Sequence, residues 1–296
     1  MLRKIGRILL KLAGLALLIF VLALLILGRL IEFRVNDKDL LSFFRQRHIT
    51  PVISYYHAKE REVRYIEVGH DTGATILFIH GAPSSLSYWK GYLSDSDLLH
   101  RATMYAVDRP GYGYSGLGDP LPDIATQASI IKLILDSLHQ AHRPVVVVGV
   151  SYGAPIAARL VMDNPQLVNG LVLMAPPLGP GREKIFWFTY LIENPLIHWI
   201  IPPMLQSANR EKVHHKEELT KMLPLWSGIH IPVAYLQGME DGLVDTSNAT
   251  FAKTHLINAP SLSMQMIPGR GHLIAFAEKD RVKKTILDML DKCGAP

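Results

Sequence analysis

One serine stands between two glycines in Gly149-Val150-Ser151-Tyr152-Gly153, with the apolar run Val145 to Val148 before it and the helically spaced Ala154-Pro155-Ile156-Ala157-Ala158 behind it. A G-x-S-x-G sequence between a strand and a helix turns so tightly that its serine takes a strained backbone, and the two glycines remove Cβ atoms that would collide across the turn. The hydroxyl of Ser151 is then held in the open, where a neighbouring base converts it into a nucleophile. Helix entry also supplies unpaired backbone N–H groups, so that of Tyr152 points to where the oxyanion of an attacked carbonyl forms. Pro155 suits a first helical turn, where a missing N–H costs nothing. The pentapeptide alone fits an ordinary strand-to-helix turn equally well, and its surroundings decide between the two.

Those surroundings have a rhythm. From about residue 52, strand-like runs at 62–68, 74–80, 103–108, 144–150, 170–176, 232–238 and 262–269 alternate with helix-like runs at 124–139 and 154–162, and a last helix starts at about 275. The alternation predicts an α/β domain: a mostly parallel sheet with flanking helices. It breaks once, between Pro177 and Ile231, which predicts an inserted segment. At the C-terminal ends of the strands stand "HGAPSS" (80–85), "DRPGYGYSG" (108–116), "GMEDGLVD" (238–245) and "PGRGH" (268–272). Open α/β sheets build their sites at that edge.

With these motifs in view, the chain resembles the α/β-hydrolase fold family from about residue 50 to the C-terminus. The resemblance implies a Ser-Asp-His triad with Ser151 as nucleophile and His272, in the loop after the last strand, as base. Of the other histidines, His198, His214, His215 and His230 belong to the insertion, and His255 lies within an expected helix. The orienting acid falls between serine and histidine, at Asp241 or Asp245. Asp241, three residues after Gly238, occupies the family's usual place, whereas Asp245, ahead of Thr246 and Ser247, suits a helix N-terminus. The other place some members use, here "LMAPPLGPG", has no acid. The second oxyanion donor implied is the backbone N–H of Ala82, beside that of Tyr152. His80 and Gly81 then shape the turn, and Asp108, Arg109 and Gly111 read as turn and packing residues, with Asp108 a remote alternative acid. The HG-x-P form and "DRPGYGYS" are equally similar to epoxide hydrolases and haloalkane dehalogenases. Their nucleophile is an aspartate, because they form and hydrolyse an alkyl ester, and Ser151 in that place opposes those activities.

The remaining signals concern surroundings. Residues 1–31 hold Arg3, Lys4, Arg7, Lys11 and Arg29 and no acid, which is the whole excess of 31 basic over 26 acidic residues among 296. The balanced remainder gives no argument for nucleic acid. A single cysteine, Cys293, excludes an intrachain disulfide and a Cys-rich metal site, and neither metal nor cofactor is expected. Residues 8–28 are apolar apart from Lys11. As a helix they measure about 31 Å, enough to cross a bilayer core, and no small-x-small cleavage site follows. Residues 1–33 are therefore expected to be a single-pass membrane anchor, and 34–296 a hydrolase domain with a cap at about 178–230. The N-terminal cations place the hydrolase on the non-cytoplasmic side, against Arg34, Lys38, Arg45 and Arg47 beyond the helix. The cap carries Phe186, Trp187, Phe188, Tyr190 and Trp199, expected as its own core roofing an apolar pocket. Together these features point to a membrane-anchored serine hydrolase of apolar or lipid-like esters. A C–C bond hydrolase or lyase on the same triad, and a silent, tethered binding protein, remain open.

Overall fold

Runs rich in valine, isoleucine and leucine become the strands β1 (Val52–Ala58), β2 (Arg61–Val68), β3 (Ala74–Ile79), β4 (Ala102–Val107), β5 (Val145–Val150), β6 (Gly170–Met174), β7 (Val233–Gly238) and β8 (Leu262–Ile267). They form one sheet in the order β1-β2-β4-β3-β5-β6-β7-β8. The computed structural model describes residues 2–30, 33–69, 73–136, 143–185, 187 and 189–295. From β4 across to β8 all pairings are parallel, while β2 pairs antiparallel with both β1 and β4. β3, β4, β6 and β7 are buried along their whole length, as strands covered on both faces must be. β1 is an addition to the expected strands: it lies at the sheet's edge, and only Ala58 of it is buried.

The longer helices are α1 (Leu2–Leu30), α2 (Asp37–Arg45), α3 (Ser96–Arg101), α4 (Ile124–Asp136), α5 (Gly153–Asp163), α6 (Pro203–Met222), α7 (Asn248–His255) and α8 (Lys279–Lys292). Successive strand residues point to opposite faces, so Leu77, Val147 and Leu173 pack with Ile131 of α4 and Ala157 and Leu160 of α5. Ile76, Phe78 and Val148 pack on the other side with Leu40 and Phe44 of α2, Leu98 of α3 and Ile286 of α8. The helix expected over 124–139 is described to Asp136, and His139 lies outside the described residues. The expected last helix divides at Glu278 into Ile274–Ala277 and α8.

The inserted segment lies between β6 and β7 and holds the short helices Thr189–Ile192 and Pro195–His198 before α6. Of the aromatic residues expected as its core, Trp187 is 79% exposed, Tyr190 64% and Trp199 62%, so these three form no lid core. Phe186 and Phe188 lie outside the described residues. What packs against the body is the polar face of α6, with Glu211, His215 and Glu218 buried.

At the other end, residues 4–23 of α1 are long and apolar enough to cross a membrane, and none of that stretch is buried against the protein. The chain joins the body at Phe33, whose carbonyl accepts a 2.8 Å bond from Ser85 Oγ. Asn36 caps α2 by accepting the Asp39 N–H. The fully buried Arg64 pairs with Asp37 of α2 and with Asp108, and reaches the Val35 carbonyl. Residues 33–45 are thus a strap laid over the sheet. A chain starting at Phe33 should therefore unfold at the same urea midpoint as the full chain's hydrolase portion. One starting at Gln46 loses the burial of Leu40 and Phe44, about 1.5–3 kcal/mol each, and strips Arg64 of Asp37. A urea titration in which both truncations match would show the strap to be dispensable.

Candidate active site

Ser151 has a left-handed backbone, φ +51°, and its neighbours explain how the chain accommodates it. A Cβ on Gly149 would stand 2.6 Å from the Gly153 carbonyl oxygen, and one on Gly153 would overlap the backbone of Ile79 and His80. The loop after β3 passes so close that a Cβ on Gly81 would lie 2.9 Å from Ser151 Cβ. Three glycines thus let three backbones meet at the end of β5. The Ser151 N–H is spent on the Met174 carbonyl, 2.8 Å away.

A second crossing brings the other two expected residues together. At Gly238 any side chain would overlap the carbonyls of Arg270 and Gly271, and the Glu240 N–H donates to the Arg270 carbonyl at 2.9 Å. The loops after β7 and β8 are clasped there, and His272 Nδ1 lies 2.8 Å from Asp241 Oδ2. The other oxygen of Asp241 accepts the N–H groups of Leu243 and Val244, each at 2.9 Å. Burial alone would raise the Asp241 pKa, but the bonds from His272, Val244 and Leu243 hold it below the ordinary carboxylate value. An ionised carboxylate only accepts, so Nδ1 of His272 carries the proton and Nε2 is the acceptor when the ring is neutral. Asp245 instead accepts the Ser247 N–H at 2.8 Å, ahead of α7. Asp108 is committed to the N–H groups of Leu86 and Tyr114 and to Arg64.

Arg109, expected as a packing residue, does more than pack. It is fully buried, and donates to the His80 carbonyl (2.9 Å), the Gly81 carbonyl (3.1 Å), Gln127 (2.9 Å) and both carboxylate oxygens of Glu211 (2.6 and 3.2 Å). Tyr112 and Gln127 also donate to Glu211. His80 Nε2 accepts the Arg109 N–H at 3.0 Å, so its Nδ1 carries the proton and donates to the Gly81 carbonyl at 2.7 Å. Burial and the Arg109 charge keep that imidazole neutral, well below its ordinary pKa. The Gly81 carbonyl is thus held by two donors, and across the planar trans peptide that follows it the Ala82 N–H points away from that carbonyl. Tyr152, the residue before α5, donates its hydroxyl to the Pro122 carbonyl, and its ring packs 4.8 Å from that of His215. Glu211, His215, Glu218 and Met222 share one buried face of α6, a face that the polar stretch "NREKVHHKEEL" does not mark as buried.

Ser151 and His272 line one cleft of about 1130 Å³, with Gly81, Ala82, Phe33, Phe43, Tyr88 and Phe276 among its walls. Among the described residues, none from 178–230 lines it, so the expected apolar roof is replaced by the strap and by the segments 83–94 and 272–279.

Residues 76–284 match the model of the Alpha/beta hydrolase family. The chain belongs to that family. Its fold is shared with the crystal structure of a membrane phospholipase A, at 21% identity and a TM-score of 0.64 over 99% of each chain. It is shared too with the haloalkane dehalogenase DatA of Agrobacterium tumefaciens C58, at 16% identity and a TM-score of 0.66 over 82% of this chain and 97% of that one. In sequence, 117 residues (38% of the chain) are 36% identical to the dihydrolipoyllysine-residue acetyltransferase component of the acetoin cleaving system of Cupriavidus necator, and 110 residues (37%) are 33% identical to a haloalkane dehalogenase of Mesorhizobium japonicum. These matches span 29% and 34% of the two relatives' lengths.

Glu211→Gln would leave a buried guanidinium uncompensated and should cost about 3–5 kcal/mol, read from the denaturant midpoint. His215 gives a pH test. Burial, and then Lys212, lower its pKa to about 3, so the folded chain binds fewer protons than the unfolded one below about pH 6.5. Stability therefore falls as the pH drops through 6.5 toward 3. His215→Phe should shrink the loss between pH 7 and pH 5 by about 2 kcal/mol. Identical losses in variant and wild type would mean that the ring is protonated in the folded state.

Proposed function

We propose that the chain is a membrane-anchored serine hydrolase that cleaves carboxylic esters of apolar or lipid-like acyl groups through an acyl-enzyme on Ser151. The observation that carries this reading is the convergence of Ser151 with the hydrogen-bonded His272–Asp241 pair at one cleft. Ser151 Oγ attacks the ester carbonyl while His272 Nε2 takes its proton, and Asp241 holds the imidazole in orientation and stabilises its charge. The backbone N–H groups of Ala82 and Tyr152 receive the oxyanion. His272 then protonates the departing alcohol, and water, deprotonated by the same nitrogen, releases the acid and restores Ser151.

Two observations support a lipid-like substrate. Three peptide steps connect Leu30, the end of α1, to Phe33 in the cleft wall, so the cleft lies within about 11 Å of the helix end. The likeness to the membrane phospholipase A covers 99% of both chains, so it includes the N-terminal helix. The aromatic walls Phe33, Phe43, Tyr88 and Phe276 suit acyl chains.

Ser151→Ala or His272→Ala should lower kcat by about 10⁴ or more, with the double variant scarcely worse, because the groups act as a unit. Asp241→Asn should cost about 10²-fold or more and Asp245→Asn little. Additive losses, or exchanged effects of the two aspartates, would refute these roles, and a fluorophosphonate that leaves folded protein unlabelled at Ser151 would favour a silent binding protein. A chain starting at Phe33 should keep its turnover of a short soluble ester and lose turnover of vesicle-borne ester, which the anchor presents at about millimolar effective concentration. Equal retention on both substrates would remove the lipid reading.

A further inference from the structure

We infer that Arg47 and Lys90 form an anion site at the mouth of the cleft that receives the phosphodiester of an anionic glycerophospholipid while its acyl ester reaches Ser151. The inference rests on the esterase reading above and names the substrate class of the same cleft.

The wall of the cleft contains Arg34, Arg47, Lys90 and Lys279 and, among the described residues, no aspartate or glutamate. Two of the four have work elsewhere. Arg34 donates to the Gly113 carbonyl at 3.0 Å and lies over the Tyr114 ring, and Lys279 faces Asp95 at 3.6 Å. Arg47 and Lys90 instead converge on a single aromatic ring. The Arg47 guanidinium sits 3.7 Å from the centre of Phe43 and also donates to its carbonyl, and the Lys90 ammonium sits 5.1 Å from the same centre. Both side chains belong to exposed residues, and among the described residues neither is paired with a carboxylate. Two cations held on one ring concentrate positive charge at that point of the wall, and an anion bound beside them offsets their mutual repulsion.

Their height favours a lipid as the source of the anion. With α1 spanning the bilayer, the cleft wall begins within about 11 Å of the helix end, and the polar layer on each side of the hydrocarbon is about 5–8 Å deep. Phe33, in the same wall as Arg47 and Lys90, then stands in or beside the phosphate layer. Elsewhere the wall turns apolar at Val150, Leu273 and Phe276, so a lipid whose phosphate is held at Arg47 and Lys90 lays its acyl chains on those side chains beside Ser151.

The test uses the full chain reconstituted into vesicles that mix phosphatidylglycerol and phosphatidylcholine in equal amounts, with a different acyl chain on each lipid and the chains exchanged in a second preparation. Because both lipids share one vesicle, the ratio of fatty acids released reports choice at the cleft rather than recruitment. Wild type should prefer phosphatidylglycerol. Each of Arg47→Gln and Lys90→Gln should reduce that preference by about fivefold, and the double variant should abolish it, at about fivefold per surface cation. Lys284→Gln, on α8 away from the cleft, should leave the ratio unchanged, and 0.5 M salt should erode the wild-type preference on the order expected for a screened surface interaction, about 4 Å of Debye length. Release of both lipids without preference, or a preference that survives the double variant, would overturn the anion site alone. No release from either lipid, with a short soluble ester still cleaved, would overturn the phospholipid assignment and the site with it.

Discussion

A guanidinium shut away from water must have every donor answered, and at Arg109 the answers come from three separate parts of the chain. The carbonyls of His80 and Gly81 belong to the loop beside Ser151, Gln127 to α4 and Glu211 to α6 of the insertion. The cost of an unpaired buried charge, several kcal/mol, therefore fixes the inserted segment and the loop carrying Ala82 with respect to each other. Tyr112 and His80 complete the cluster, and the ring of His80 is neutral for the same reason that Arg109 must be paired.

Arg64 makes a comparable tie on the other side of the sheet, through its two terminal nitrogens alone, its Nε having no hydrogen-bond partner. It too is fully buried, and it joins Asp108, next to Arg109 in sequence, to Asp37 and Val35 of the strap. The adjacent residues 108 and 109 at the end of β4 thus tie opposite additions to one sheet: the strap through Asp108 and Arg64, the insertion through Arg109 and Glu211. The hydrolase sheet is the common anchor of both.

Legibility in the sequence followed the range of the interactions. The elbow at Ser151 could be read because its cause is local: Gly149 and Gly153 meet backbone a few residues away or at the end of the adjacent strand. Asp241 could be separated from Asp245 for a similar reason, since the cap at Ser247 is two residues from Asp245. Glu211 could not, because the partner that buries it, Arg109, lies 102 positions earlier, and a charged stretch such as "NREKVHHKEEL" reads as a solvated face when its partner is unknown. β1 and the strap escaped the reading for a related reason: an edge strand with one buried residue has weak alternation, and the nine-residue α2 offers only Leu40 and Phe44 to the core.

The same two ties decide which way the cleft opens. On the insertion side, α6 turns its polar face to the body and spends it on Arg109, Gly111 and Ile124, so that side is closed by hydrogen bonds rather than by a movable apolar roof. On the other side, the strap contributes Phe33, Arg34, Val35 and Phe43, and the turn after it Arg47, directly to the wall around Ser151. A molecule approaching Ser151 along this cleft therefore meets residues contiguous with α1 before it meets any of the insertion. Phe33, Phe43, Tyr88 and Phe276 line the room beside Ser151, whereas the exposed Trp187 and Trp199 do not line it. One side of the cleft wall and the attachment to α1 thus lie in one continuous stretch of chain, so a substitution in the strap alters the cleft and the link to the helix together.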